Sequence, residues 1–543
     1  MAKYSSKWNE SLALDRKVEQ GLRLQEAGRL AEAENRYRKV LRTDPAHTDA
    51  LLKIHDLLIS SGRLPEAIAA LEAAAATHDG NAAHYFTLAR LFADINQSQR
   101  AEALYEETLR LSPHMESALV NLGNLLARRG ERQRAADLIS RAIEVNPMSG
   151  LAYNSLGRVL AESGMFDEAQ ACYLHTIGLN PSAPETYINL GSLYLVTCQP
   201  QKALKALETA INLIPAEMTR LRDAACWNLA LSLLASGYLE QGWDMYGFGF
   251  ASGERRPYRP FPDLIWEGED LAGKTIMVWR EQGLGDDYRF STCYHDLIGM
   301  AGHVIIETDP RLVPLYQRTW PTATVRPAQA TSTGLDNYGN VDFDLTAPSG
   351  IVASRLRRTL SAFPANPPRL VACPDLRAAA RRWLDSLGPK PKIGFAWRSG
   401  IKDPVREIWT TTIADWLPLL HDDAFDIVNL QYAEPRAELD AAARDLGVII
   451  HEMPGLDTHA DLEGVAALTS ELDFIIAPWN AASELAGALG AKGILYAPAF
   501  QPNMLGATNF PWYPSLDVIP VQPGFDRIDL CARICRATHA ALA

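Results

Sequence analysis

Glu116-Ser-Ala-Leu-Val-Asn-Leu-Gly-Asn-Leu-Leu-Ala-Arg-Arg-Gly-Glu-Arg-Gln-Arg-Ala-Ala-Asp-Leu-Ile-Ser-Arg-Ala-Ile-Glu-Val-Asn-Pro147 reads as two amphipathic helices joined by a turn at Gly130 and closed by Pro147. The same pattern recurs every 34 residues: Pro45, Pro113, Pro147, Pro181 and Pro215 lie on one grid, with Asp79 at the remaining position. A fixed period of this kind marks a stacked helical solenoid, which buries a core only by stacking neighbours. Counted from Leu14, position 8 is Gly21, His55, Ala89, Gly123, Gly157 and Gly191, and position 20 is Ala33, Ala67, Ala101, Ala135, Ala169 and Ala203. Small residues there let two antiparallel helices approach closely. Bulky residues alternate with them, Leu122, Leu156 and Leu190 at position 7 and Tyr37, Tyr105 and Tyr173 at position 24. The proline ends each second helix because it lacks a donor. Gly28, Gly62, Gly130 and Gly164 turn the chain between helices. Six repeats fill 14–217, and a seventh, offset by an insertion, is visible in Trp227-Asn-Leu-Ala230 and Gly237.

This period and these small-residue positions resemble the tetratricopeptide repeat. The motif residues build the core, so recognition falls to the inner face. Position 6 faces the groove in that family, and here it is Asn121, Ser155, Asn189 and, in the offset repeat, Asn228. An amide both donates and accepts. A ladder of such groups resembles the one in the repeat arm of the O-GlcNAc transferases and implies capture of an acceptor protein by its backbone. Solvated polar residues on a helix face are the alternative, since Glu19, Lys53 and Thr87 stand there in the first three repeats.

The chain has 543 residues and a net charge of −13, which argues against a nucleic-acid partner. The first ten residues, Met1 to Glu10, lack an apolar core, so no signal peptide is expected. No run of ~18 apolar residues occurs, so no membrane span is expected. Seven scattered cysteines read as reduced thiols of a cytoplasmic protein rather than as metal ligands.

Helical periodicity fades after Met245. An Arg- and Pro-rich segment, Arg255-Arg-Pro-Tyr-Arg-Pro-Phe-Pro262, reads as a linker or as a strap packed across the domain boundary, and leads to the apolar run Thr275-Ile-Met-Val-Trp279. Further strand candidates are 303–307, 343–345, 392–397, 426–430, 448–452, 474–477 and 493–496, alternating with helical stretches. This alternation predicts parallel sheets. A Pro-rich break near 364–374 divides them. The expected domains are therefore a solenoid over 14–250 and two Rossmann-type α/β units over 251–372 and 373–543. The last pair resembles the GT-B glycosyltransferases, giving an α plus α/β multidomain chain.

The first strand ends in Arg280-Glu-Gln-Gly-Leu-Gly-Asp-Asp287. A Gly-x-Gly loop there lies at the ligand crevice of an open sheet, but the third glycine of a dinucleotide fingerprint is missing. The segment resembles the Gly-Asp loop of heptosyltransferase-like enzymes. That resemblance implies donor contacts at Gly283 and Gly285 and a general base at Asp286, which equally suits a helix cap. In the second unit, Lys392-Ile-Gly-Phe-Ala-Trp-Arg-Ser-Gly400 runs into a polar loop. Arg398, Ser399, Lys402 and Arg406 are candidates for the donor's phosphate, unless nearby acids pair the cations. Gln431 and Tyr432 end another strand where GT-B enzymes hold the nucleobase. Ordinary strand-end residues are the alternative. Asn480, Ser483 and Glu484 begin a helix resembling the donor-phosphate segment of the heptosyltransferases. Here Trp479, Asn480 and Glu484 replace its Asp, Thr and His, a change that implies a different donor or lost activity.

Together these pieces resemble bacterial tetratricopeptide glycosyltransferases, especially the flagellin O-glycosyltransferases of alphaproteobacteria. The resemblance implies transfer of a sugar, such as pseudaminic acid, from a nucleotide-sugar donor to Ser or Thr of flagellin in the cytoplasm. No metal or other cofactor is expected. A repeat adaptor or chaperone with a degenerate transferase half is the alternative.

Overall fold

A computed structural model describes residues 2–76, 80–257, 259, 261, 264–328, 341–400 and 408–543, with side chains from residue 12 onward. Asp79, Lys402 and Arg406 fall outside the described residues. The chain forms two compact units, Met1–Pro181 and Ser182–Ala543.

Among its described residues, the first unit is five antiparallel helix pairs. They are Ala2–Glu26 with Leu30–Thr43, Thr48–Ser60 with Leu64–Ala75, Ala82–Asp94 with Ser98–Leu111, Glu116–Arg128 with Arg132–Val145, and Gly150–Glu162 with Phe166–Leu179. The first helix begins well before Leu14. Position 8 meets position 24 of its own repeat. A Cβ on Gly123 would lie 2.6 Å from Ile139 Cγ1, and one on Gly157 would lie 2.7 Å from Tyr173 Cε1. A larger residue at either place would have to displace the facing side chain. At position 15 the backbone is left-handed, with φ of +84° at Gly130 and +77° at Gly164, and Asn96 fills the same place at +59°. The prolines act one residue earlier than the missing donor suggests. Asp44, Asn146 and Asn180 are extended, as residues before proline must be, yet their N–H groups still close the last turn at 2.9, 2.9 and 2.8 Å.

The second unit opens with two further helix pairs, Pro184–Val196 with Pro200–Leu213 and Thr219–Ala235 with Leu239–Met245. Its first sheet contains β1 (Thr275–Trp279), β2 (His303–Thr308), β3 (Thr324–Pro327) and β4 (Leu345–Pro348), in the order β3-β2-β1-β4. Its second contains β5 (Lys392–Phe395), β6 (Asp426–Asn429), β7 (Phe474–Pro478), β8 (Gly493–Pro498) and β9 (Leu516–Val521), in the order β6-β5-β7-β8-β9. Every strand pair is parallel. Central strands are buried along nearly their whole length, as sheets covered on both faces must be.

Two strand expectations change, and two strands were not expected. Val448–Glu452 makes one isolated bridge, His451 to Val428, rather than a strand. The strand expected at 343–345 runs from Leu345 to Pro348. β3 and β9 escaped detection because both lie at sheet edges and carry Arg326, Asp517 and Pro520, which break the apolar signal.

Trp227, Leu234, Trp243 and Tyr246 share one core with Trp266, Ile276, Val278, Tyr288, Leu485 and Trp512. The last helices of the repeat region are thus fused to the sheets, well before the sequence changes character at residue 251.

Candidate functional site

β1 leads into Arg280, Glu281, Gln282 and Gly283, and then into the helix Leu284–Ser291. Gly283 is its N-cap, and Asp286 Oδ2 accepts from the Gly283 N–H at 3.4 Å. Asp286 Oδ1 accepts from Arg289 Nη1 at 3.0 Å. The Asp286 side chain keeps 27% of its surface exposed, so one residue caps the helix and faces solvent. Asp287 points the opposite way and is fully buried. It accepts from the Thr308 hydroxyl at 2.6 Å and from the Tyr316 hydroxyl at 3.3 Å. Burial pushes its pKa up to about 6, opposed by the Thr308 hydrogen bond and the Arg280 charge.

The strap holds this loop. Gln282 is left-handed at φ +59°, and its N–H donates to the Arg256 carbonyl at 2.6 Å. Glu281 is wholly buried, pairs with the equally buried Arg255 and accepts from the Gly350 N–H at 2.7 Å. Burial raises its pKa, and the Arg255 charge opposes the rise. Arg255 also lies 4.0 Å from the Tyr246 ring centroid and 4.1 Å from that of Phe250. Arg255 of the strap is therefore a core residue that ties the end of the repeat region to the loop carrying Asp286.

In the second sheet, β7 runs into Trp479, Asn480 and the helix Ala481–Leu489. Asn480 Oδ1 accepts from the N–H groups of Ala482 and Ser483 at 3.0 and 3.1 Å, and its Nδ2 donates to the Arg398 carbonyl at 3.2 Å. Ser483 Oγ accepts from the Asn480 N–H at 3.1 Å. The chain thus satisfies its own helix terminus. Glu484 is 1% exposed, and Oε1 accepts from Arg289 Nε at 3.0 Å, from Arg289 Nη2 and from the Trp479 indole N–H at 2.7 Å. Burial raises the Glu484 pKa against the pull of Arg289. A Cβ on Gly285 would lie 3.4 Å from Glu484 Cγ, so the helices that follow β1 and β7 touch at Gly285. Arg318 Nη2 reaches both Glu463 oxygens at 2.6 and 2.8 Å, and Arg311 donates to the His459 carbonyl at 2.7 Å.

The loop after β5 is held by protein groups. Arg398 Nε lies 2.8 Å from Glu438 Oε1, and its Nη2 donates to the Ala433 carbonyl at 3.1 Å. Gln431 is buried. Its Oε1 accepts from the N–H groups of Trp397 and Arg398 at 3.1 and 3.0 Å, and its Nε2 donates to the Tyr432 carbonyl at 2.9 Å. Gly400 N–H donates to the Tyr432 hydroxyl at 3.3 Å, beside Ser399. Arg398, Gln431, Tyr432 and Asn480 therefore converge on one short loop.

Position 6 of the repeats links neighbours. Ser155 Oγ accepts from Asn124 at 3.2 Å, and Asn228 donates to Ser192 Oγ at 3.0 Å, each a position 6 to position 9 bond between successive repeats. Asn121 hydrogen-bonds Tyr105, and Asn189 sits half-buried on its helix. The position 9 partners went unread because polar residues there carry no periodic signal. Arg289 had a local signal: it stands one helical turn after Asp286. Its contact with Glu484 had none.

Tetratricopeptide-repeat family profiles match residues 24–91, 86–150 and 120–184. Protein FlbA of Caulobacter vibrioides (strain ATCC 19089 / CIP 103742 / CB 15) is 34% identical over 300 residues, covering 53% of this chain and 50% of FlbA. The chain thus spans about half the length of that curated relative. Among solved structures, a tetratricopeptide repeat protein from Parabacteroides merdae is 19% identical, with 45% of this chain and 94% of that one covered at a TM-score of 0.37. YrrB, described as a TPR protein with an unusual peptide-binding site, is 24% identical, with 34% and 94% covered at 0.26. Among the described residues, no helix is long and apolar enough to cross a membrane. The chain is an N-terminal helical tetratricopeptide solenoid followed by parallel α/β sheets, and its repeats are a protein-interaction device.

Proposed function

We propose that this chain is a cytoplasmic protein O-glycosyltransferase of the GT-B kind. The repeats capture flagellin, and the α/β half transfers a nonulosonic acid from its CMP donor to a Ser or Thr hydroxyl. The observation that supports this reading is Asp286. Its partly exposed carboxylate stands at the first turn after β1, where the helices following β1 and β7 meet. In the reaction the acceptor oxygen attacks the anomeric carbon, its proton passes to Asp286, and the bond from that carbon to the phosphate oxygen breaks as the nucleotide leaves. The sequence resemblance places donor contacts at Gly283, Gly285, Arg398, Ser399, Lys402, Arg406, Gln431, Tyr432, Asn480, Ser483 and Glu484, of which Glu484 is instead turned inward onto Arg289, and acceptor contacts at Asn121, Ser155, Asn189 and Asn228. The flagellin acceptor and the sugar rest on the sequence resemblance.

The test is the intact mass of flagellin co-expressed with this chain and a CMP-nonulosonic-acid supply. Added sugar mass is expected with the natural chain and none with Asp286→Ala. Unchanged glycosylation by a folded Asp286→Ala chain overturns the assignment of the base. A second reading, a non-catalytic repeat adaptor, is favoured by the self-satisfied polar groups at Asn480, Gln431 and Arg398. Calorimetry with CMP-, UDP-, GDP- and ADP-sugars separates the two, since the adaptor binds none.

A further inference from the structure

We infer that Glu484 and Arg289 are positioning residues that hold the Asp286 carboxylate across the two α/β halves, and that Glu484 works through the protein rather than on the donor. This rests on the transferase reading above.

Arg289 is the centre of the arrangement. Its guanidinium is 2% exposed and reaches two carboxylates on different elements, Asp286 on its own helix at 3.0 Å and Glu484 on the helix after β7 at 3.0 Å. Its carbon lies 5.6 Å from the centroid of the Trp479 ring. Three N–H donors converge on Glu484 Oε1, two from Arg289 and one from the Trp479 indole, and the buried Tyr513 hydroxyl lies beside the same carboxylate. A carboxylate crowded onto one oxygen in this way is fixed in orientation, and it fixes the guanidinium in turn. Asp286 inherits that rigidity through Oδ1 and keeps only the long 3.4 Å contact on Oδ2. Oδ2 is therefore the oxygen left to take a proton.

Space and charge point the same way. Gly285 packs against Glu484, so little room separates the two helices at that point. A buried Arg289 needs a counter-charge, and Asp286 alone would have to supply it if Glu484 were neutral. Asp286 would then be drawn into a purely structural pair. A histidine at position 484 would leave Asp286 as the one carboxylate paired with Arg289 in this arrangement, which gives the departure from the heptosyltransferase pattern a physical reason.

The test uses the full chain, flagellin as acceptor and CMP-pseudaminic acid as probe, with kcat, donor KM and thermal unfolding measured together. Glu484→Gln keeps the shape and removes the charge. It is expected to lower kcat about tenfold or more while donor KM stays within about twofold. Arg289→Lys is expected to keep more kcat than Arg289→Met. The double variant Glu484→Gln with Arg289→Met should be no slower than the slower single, as groups acting as one unit require. Trp479→Phe, which removes one donor from Oε1 and leaves the packing, should lower kcat a few-fold at unchanged KM and covers the case in which Glu484→Gln does not fold. A rise in donor KM with unchanged kcat in Glu484→Gln would overturn the inference, as would additive losses in the double variant. If the natural chain transfers nothing, the transferase reading falls and this inference with it. If the natural chain transfers and Asp286→Ala does not, but Glu484→Gln and Trp479→Phe behave like the natural chain, the inference alone falls.

Discussion

Adjacent aspartates in the loop after β1 have opposite fates, and one rotation along a helix separates them. Asp286 lies on the solvent side of Leu284–Ser291, and Asp287 is turned under the sheet onto Thr308 and Tyr316. Burial raises the Asp287 pKa to about 6 from the ordinary 3.8, so the folded chain binds this proton more tightly than the unfolded chain. The associated stability is fully present below pH 3.8 and is lost as pH rises through about 6. At pH 7.5 the natural chain should therefore be less stable than Asp287→Asn, by up to about 3 kcal/mol, the free energy between a pKa of about 6 and the ordinary 3.8. At pH 4 the two should unfold together. Thermal unfolding midpoints measured from pH 4 to 8 check this, and equal midpoints throughout would show that Asp287 is neutralised by Arg280 instead.

A helix pair in the solenoid depends on what stands at position 8. Gly157 has no room for a methyl group, because its Cβ would lie 2.7 Å from Tyr173 Cε1 and 3.2 Å from the Ala169 carbonyl. A Cβ on Gly178, on the helix Phe166–Leu179, would have nothing within 4 Å. Gly157→Ala is expected to destabilise by about 1–3 kcal/mol through overpacking, even though alanine is the better helix former. Gly178→Ala should stabilise by about 0.5–1 kcal/mol, since only the propensity term acts there. Denaturant unfolding of the two variants separates packing from propensity. The same logic governs the strap: burial of Arg255 against Glu281, Tyr246 and Phe250 makes it part of an element interface.

For the whole molecule, the division at Pro181 and Ser182 matters more than the change of sequence character near residue 251. A chain starting at residue 251 loses Trp227, Leu234, Trp243 and Tyr246 from the core they share with Ile276, Val278 and Trp512. Each lost large side chain removes roughly 1.5–3 kcal/mol of burial, so this truncation should aggregate. A chain starting at residue 182 keeps them and should stay soluble with a near-ultraviolet circular dichroism spectrum; loss of that spectrum would refute the shared core. The solenoid was legible from residue types alone, because its contacts are local and repeat: Gly123 meets Ile139, and Gly157 meets Tyr173, within single repeats. The central strands were legible for a similar reason, as continuous apolar runs such as Thr275–Trp279 suit a sheet covered on both faces. Edge strands β3 and β9 were not, since an edge tolerates arginine and proline. The loop carrying Asp286 was also legible, as a glycine pattern at a strand end. What surrounds it was not. Asp286 and Glu484 are 198 positions apart in the chain. Arg289 joins them only because parallel strands in two sheets deliver both helices to one place, and no local pattern encodes a contact made by tertiary packing.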